Sequence, residues 1–154
     1  MPRLYTATSG LVSLAASTTK VVVGLASGAT VTATLLGWDI SFDSTASGSG
    51  AIPVRVALVR CTGVSSTGGA VVTPTPWTKG GLAAAVTARA GDTTDGASPT
   101  IIKEWLVSPT AGYSYVWPYG KELEMGISDF LELRVVSQAG MTTCNADGQI
   151  DWTE

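Results

Sequence analysis

The 154-residue sequence predicts a single all-β domain over residues 1–154, an antiparallel β-sandwich of the jelly-roll type with about eight strands and one long loop. Three observations lead to this prediction. Apolar and polar residues alternate in several segments, which clusters of Gly, Pro, Ser and Asp separate. Helical periodicity is nearly absent. Two of the candidate strands are unusually long, as the strands of a jelly roll often are.

Residues 1–10 are predicted to form an extended N-terminal arm. Its segment RLYTAT (residues 3–8) is rich in strand-forming residues, so it can add to the sheet edge of a neighbouring protein. The alternative, which the sequence leaves open, is that the arm packs on its own domain or is disordered. The next candidate strand is KVVVGL (residues 20–25).

The segment TVTATLLGWDISF (residues 30–42) is too long for a simple strand. Its apolar face changes midway, since Ala33 and Leu35 alternate on one side while Trp38 and Ile40 alternate on the other. The change falls at the sequence Leu-Leu-Gly, which predicts either a β-bulge or a strand that bends between two sheets.

Two segments alternate most clearly. In AIPVRVALVR (residues 51–60), every second residue from Ile52 is apolar, and Arg55 lies on the opposite side. In DFLELRVVS (residues 129–137), the leucines are predicted to face inward and the charged residues Glu132 and Arg134 to face solvent. Both patterns are typical of half-buried strands.

The rest of the chain divides into further strands and loops. Residues 82–89 (LAAAVTAR) are compatible with a short helix or a strand. Residues 44–50 (STASGSG) and 61–99 are rich in small residues and predict loops, the second one long and carrying Trp77, a ring that needs something to cover it. The remaining candidate strands are residues 100–107, 113–117, 121–125 and 141–152.

Four aromatic residues recur at every second position near the C-terminal third: Tyr113, Tyr115, Trp117 and Tyr119. In an extended strand all four rings share one face. They can fill the core, cover a contact between subunits or bind a ligand such as a sugar. The residues between them favour the first two interpretations, because Val116 and Pro118 offer a sugar no hydrogen bond.

The charge composition excludes some partners. The net charge is −3, only 14% of residues are charged, and Lys and Arg do not cluster, so phosphate neutralisation and hence nucleic-acid binding are not expected. No run of about 18 apolar residues predicts a membrane-spanning helix, and no membrane partner or targeting segment is expected. A chain with so few charges is expected to share part of its surface with partner molecules.

Enzymatic groups are scarce. The sequence contains no histidine, which excludes histidine-dependent nucleophilic catalysis and the usual general base near neutral pH. Two cysteines are too few for a zinc site, no nucleotide-binding motif is present, and no cofactor is predicted. The carboxylate pairs Asp39/Asp43 and Glu122/Glu124 are interpreted as solvated strand faces rather than as a glycosidase pair.

Two smaller interpretations concern cysteines and turns. Cys61 and Cys144 are expected to be reduced thiols, although a disulfide stays open if the fold brings them together. The segments GDTTDG (residues 91–96) and NADG (residues 145–148) lack the spacing of a calcium loop and are predicted to be turns.

The sequence resembles the small jelly-roll head decoration (cement) proteins of tailed bacteriophages. The resemblance rests on LYTATSGLVSLAASTTKVVV at the N-terminus, GWDISFDSTASGSGAIPVRVALVR in the middle, and VWPYGKELEMG and LELRVVS later, and it covers most of residues 4–137. The segment 61–99 and the tail from Met141 depart from the leaner family pattern. The resemblance implies a non-enzymatic clamp, often a trimer, that binds the major capsid protein lattice on the outside of the virion after assembly in the host cytoplasm.

Two function classes therefore follow from the sequence. The first is a capsid decoration protein that acts as a homotrimer, and the second is a carbohydrate- or receptor-binding β-sandwich of a phage tail or cell surface. The residues predicted to contribute to subunit or capsid contacts are Arg3, Leu4, Tyr5, Trp77, Tyr113, Tyr115, Trp117 and Tyr119.

Overall fold

The computed structural model describes residues 2–43, 52–62 and 64–154. The regular secondary structure in these ranges consists of β-strands alone. The loop predicted at residues 44–50 lies outside the described residues. The strands are β1 (Leu4–Thr8), β2 (Val12–Leu14), β3 (Thr19–Ala26), β4 (Ala33–Phe42), β5 (Val54–Thr62), β6 (Ala70–Val72), β7 (Thr75–Pro76), β8 (Thr87–Asp92), β9 (Thr100–Val107), β10 (Tyr113–Val116), β11 (Leu123–Met125), β12 (Asp129–Val136) and β13 (Cys144–Thr153).

The strands form two antiparallel sheets that pack face to face, which confirms the predicted β-sandwich. The first sheet has the order β10-β4-β13-β1-β7, with β11 beside β4 and β2 beside β13. The second sheet has the order β6-β8-β3-β12-β5-β9. Eight of these strands, β1, β3, β4, β5, β9, β10, β12 and β13, follow the jelly-roll order: first, eighth, third and sixth in one sheet, and second, seventh, fourth and fifth in the other.

The core lies between the sheets, and β13 contributes to it by strict alternation. Along β13, every second residue from Cys144 to Trp152 is buried, and the residues between them are half-buried on the outer face. Gly148 belongs to the inner series because a Cβ there would lie 2.7 Å from Val22 Cγ1 on the opposite sheet. Residues 145–148, predicted to be a turn, are therefore part of a strand whose glycine permits close contact between the sheets.

The N-terminal segment is a strand of its own domain rather than a free arm. β1 pairs with β13 on one side and with β7 on the other. Tyr5 is fully buried, and its ring stacks on Trp152 with the ring centroids 5.8 Å apart. Tyr5, predicted as a contact residue, is thus part of the core.

The long fourth strand contains the predicted bulge. The register between β13 and β4 shifts at Asp151 and Trp152, which pair with Gly37 and Leu35 and leave Leu36 without an opposite residue. One extra residue resets the period of two. The two apolar series predicted for opposite sides consequently share the inner face, where Leu35 and Trp38 are both buried.

The segment 61–99, predicted to be one long loop, holds three strands between its loops. β6 and β8 extend the second sheet next to β3, and β7 extends the first sheet next to β1. The ambiguous segment 82–89 leads into β8 and contains no helix. This insertion between β5 and β9 therefore lengthens both sheets at the same end of the sandwich.

Candidate functional site

An aromatic cluster closes the sandwich between the edge strands β9 and β10. Tyr113 and Tyr115 of β10 face inward over Trp38, with ring centroids 5.5 and 6.3 Å from it. Trp105 of β9 completes the cluster, 4.7 Å from Trp38. Trp117 continues it, with its ring 5.0 Å from Tyr115 and nearly perpendicular to it. Three members of the predicted stripe thus share one face, and that face is the edge of the core.

Lys103 lies inside this cluster. It pairs with Leu58 across the strands, so its side chain follows the inner face of β9. Its Nζ lies 4.1 Å from the centroid of the Tyr115 ring and 5.1 Å from that of Trp117, and it donates a hydrogen bond to the Tyr115 hydroxyl. The ammonium group thus makes cation–π contacts with the Tyr115 and Trp117 rings, and Tyr115, which is half-buried, already has a cation on its face.

Tyr119, the fourth member of the stripe, lies elsewhere. It occupies the tip of a turn in which the Lys121 amide donates to the Pro118 carbonyl over 2.9 Å. Gly120 takes a positive φ of 73°, as the third residue of a type II turn requires. The Tyr119 side chain is 100% exposed. It contacts no core residue and is free to meet a partner.

The main candidate site is a groove on the outer face of the first sheet, here called the tryptophan groove. Its volume is about 320 Å³. Trp77 is 58% exposed and reaches the groove from the loop after β7, so it meets a residue of the stripe far from it in sequence. The groove is lined by Leu36, Gly37, Trp77, Val116, Trp117, Glu122 and Asp151.

The local sequence of β4 explains why the groove exists. Gly37 pairs with Asp151 on one side and with Val116 on the other, so it occupies the outer row between them. A Cβ at this position would lie 2.8 Å from the Tyr115 carbonyl oxygen. The bulge at Leu36 and the missing side chain at Gly37 together leave space between an apolar wall and a carboxylate.

The charge of this outer face has one sign. The strands of the first sheet contain four carboxylates and, within their described bounds, no lysine or arginine. Asp39, Asp147 and Asp151 lie in the outward-facing, half-buried positions of β4 and β13, and Glu124 lies on β11. Among the residues that the structure describes, none of the four forms a salt bridge. The face therefore favours cationic partners.

The remaining predicted contact residues line a second groove, on the other side of the 76–82 loop. Arg3 is exposed there, and Leu4 is 38% exposed. The exposed Leu82 and the ring of Pro76 lie opposite them. Trp77 and Trp117 thus line one groove, and Arg3 and Leu4 line another.

The outer face of the second sheet carries a buried ionic network. Arg134 Nε donates to Glu132 Oε2 over 2.7 Å, its Nη1 donates to Asp95 over 3.0 Å, and its Nη2 lies 3.1 Å from the Cys61 sulfur. The amides of Ser66 and Gly96 donate to the other oxygen of Glu132. Glu132 and Arg134 do face outward, as predicted. They are not exposed to solvent, however, because loops of the 61–99 segment bury them.

The cysteines are free, buried and far from each other in the fold. Cys61 lies on the outer face of the second sheet, and burial together with the nearby Glu132 carboxylate raises the pKa of its thiol to about 11. Cys144 lies in the core between the sheets, where burial raises the pKa of its thiol. Both thiols are therefore protonated and unreactive near neutral pH.

The carboxylate pairs of the sequence lie at positions that solvent reaches. Asp43 follows β4 and is exposed, and hydrogen bonds from the Asn145 side chain and amide lower the pKa of its carboxyl group. Asp39 lies at an outward-facing, half-buried position of β4. Across the described ranges, no three Asp, Glu, Cys or His side chains come close enough together to bind a metal ion. The same ranges contain no helix long and apolar enough to cross a membrane.

No family model, curated protein or solved structure matches this chain. The tryptophan groove is thus assigned on its own geometry, which combines two indole rings, an apolar wall and two carboxylates.

Proposed function

We propose that this protein is a non-enzymatic structural component of a phage virion, a decoration protein that binds the major capsid protein lattice from outside and stabilises the head. The observation that carries the proposal is the tryptophan groove, whose Trp77 and Val116 form an apolar surface that is exposed in the part of the chain that the structure describes. Exposed apolar surface of this kind marks interaction sites.

Two further observations support the proposal. Jelly rolls are frequent among viral capsid domains, which is an argument from fold and therefore secondary to the site. The segment VWPYGKELEMG (residues 116–126), one of those on which the resemblance to head decoration proteins rests, includes three residues that line the groove: Val116, Trp117 and Glu122.

Self-association into a trimer belongs to the same proposal. Tyr119 and Trp77 are the aromatic residues most exposed in the described chain, and exposed aromatic anchors carry much of the energy of protein interfaces. Either ring can contact a neighbouring subunit, a capsid protein or both.

The test compares Trp77→Ala and Tyr119→Ala with wild type and with Leu106→Ala, a control that is 68% exposed on the opposite sheet. Co-sedimentation with heads lacking the protein measures capsid binding, and light scattering measures oligomeric mass. We expect at least one aromatic variant to weaken binding by about tenfold or more while Leu106→Ala does not. Unchanged head binding in both variants contradicts the proposed site, and a wild type that binds no heads contradicts the function.

A second candidate is a carbohydrate- or receptor-binding module. Its support is also in the groove, because Trp77 and Trp117 offer flat apolar surfaces while Asp151 and Glu122 offer hydrogen-bond acceptors. A glycan array with the Trp77→Ala variant as control distinguishes this candidate: sugar binding that depends on Trp77 favours it over the capsid.

A further inference from the structure

We infer that the tryptophan groove receives an arginine side chain of the protein partner, held between the indole rings and the two carboxylates. This inference rests on the proposed function, since it names the chemistry by which that site recognises its partner.

The charges of the groove call for a cation. Its ionisable side chains are Asp151 and Glu122, both half-buried. Lys79 and Lys121, in the flanking loops, form no ion pair with either carboxylate in the described structure. Asp39 and Asp147 of the same sheet bring the carboxylates near the groove to four, and these outnumber Lys79, Lys121 and Lys103, whose Nζ lies 5.1 Å from the Trp117 ring. A cationic group of a partner gains from this excess of negative charge, and an acidic group is repelled.

The shape and the aromatic lining favour arginine among cations. A guanidinium group is planar, stacks on an indole face and donates two parallel hydrogen bonds to a carboxylate. Trp77, which is 58% exposed, offers an indole face, and Trp117 offers the ring surface that the Lys103 ammonium, 5.1 Å from its centroid, leaves open. Asp151 lies in the row beside Gly37 and accepts hydrogen bonds from Gln149 Nε2 over 3.1 and 3.3 Å, so a guanidinium shares this carboxylate with Gln149. The volume of about 320 Å³ is at the small end of ligand pockets, so it suits one side chain rather than a large ligand.

The arginines of the chain itself do not fill the groove. Four of them, Arg55, Arg60, Arg89 and Arg134, already pair with carboxylates on the side of the second sheet. Arg3 lies in the other groove, beyond the 76–82 loop. The arginine must therefore come from another molecule.

The experiment titrates the intact protein with acetyl-Leu-Arg-Leu-amide and with the same peptide carrying citrulline, which keeps the shape of arginine without its charge. Indole N–H signals of Trp77 and Trp117, assigned with Trp77→Phe and Trp117→Phe variants, report binding. We expect both signals to shift with the arginine peptide. The affinity for the citrulline peptide should be lower by a factor of about ten or more, because the charge-assisted hydrogen bonds are lost. Binding should weaken as salt rises to about 0.3 M.

A matched pair of double variants isolates the two groove carboxylates. Asp151→Asn with Glu122→Gln should weaken arginine-peptide binding by about tenfold. Asp39→Asn with Glu124→Gln removes the same charge from the same sheet outside the groove lining, and should change the affinity by less than about threefold. Equal binding of arginine and citrulline peptides, or equal effects of the two double variants, overturns the inference.

Other occupants give distinct results. If methyl glycosides shift the two indole signals and the arginine peptide does not, the groove binds sugar and the inference is wrong. If the wild type self-associates through this groove and Arg3→Ala reverses the association, the occupant is Arg3 of a second copy of the chain. That result overturns the inference that the arginine comes from a different protein.

The inference and the proposed function fail separately. If heads bind the wild type and the Asp151→Asn, Glu122→Gln variant but not Trp77→Ala, the proposed function is supported and the arginine inference is wrong. If the arginine peptide binds the groove but no head binds the wild type, the inference is supported and the proposed function is wrong.

Discussion

The two outer faces of the sandwich have similar sequence patterns but differ in how their charged residues are paired and covered. Both alternate apolar residues with charged ones, as in Glu132 and Arg134 on β12 and in Asp147 and Asp151 on β13. On the second sheet, loops of the inserted segment cover the charges, and all five salt bridges of the described structure lie on that side. On the first sheet, the strand carboxylates form no salt bridge in the described structure, and Asp151 lines a groove with Trp77 and Trp117.

The difference teaches which charges serve stability and which serve recognition. A charge that is buried with its partner must keep that partner, because an unpaired buried ion is costly. Charges at an exposed face reduce the free energy of unfolding little, and their electrostatic field can attract a binding partner. The second sheet is thus the stable side of the molecule, and the first sheet is the side on which a partner is expected.

The largest expected effect is on the second sheet. Replacing Arg134 with Ala leaves the buried Glu132 carboxylate without its cation, so we expect the free energy of unfolding to fall by about 3–5 kcal/mol. Urea denaturation measures it. The control is Arg55→Ala, which breaks an ion pair with both side chains largely exposed, and should cost less than about 1 kcal/mol. Equal losses in the two variants would remove the distinction between the faces.

A smaller effect concerns pH on the same side. The Cys61 thiol has a pKa near 9.0 in an unfolded chain and about 11 in the folded protein, where burial and Glu132 oppose its ionisation. The unfolded chain therefore loses its thiol proton first, and stability falls as the pH rises from about 9 to 11. Urea midpoints at pH 8 and pH 10.5 should fall further for wild type than for Cys61→Ala. A parallel decline in both proteins would contradict the assignment.

The smallest effect is expected on the first sheet. Asp39 forms no salt bridge in the described structure and lies among carboxylates, so Asp39→Asn should change the free energy of unfolding by less than about 0.5 kcal/mol, or raise it slightly at low salt. The contrasting variant is Asp92→Asn on the second sheet. Asp92 is fully buried, pairs with Arg89 and accepts hydrogen bonds from Ser66 and Gly69, and its loss should cost at least about 2 kcal/mol. Comparable losses at the two positions would show that the outer carboxylates also support the fold.

The sequence by itself determined the fold class, most strand positions and the directions of their side chains. Residues 100–107 were predicted as a strand and form β9 with the same bounds, and the segment 129–137 differs from β12 by one residue. The bulge near Gly37 was also predictable, because a period of two that changes phase needs an extra residue. These features depend only on local alternation, which the backbone geometry of a strand imposes.

Only the tertiary structure decided what covers each face. Alternation places Glu132 outward, but the loops that bury it come from residues distant in the sequence. In the same way, Trp77 and Trp117 line one groove although they follow β7 and β10, which lie at opposite ends of the first sheet. Direction is a property of neighbouring residues along a strand. The exposure of an outward-facing side chain depends on whether a segment distant in the sequence packs over it, and the local sequence pattern does not encode this.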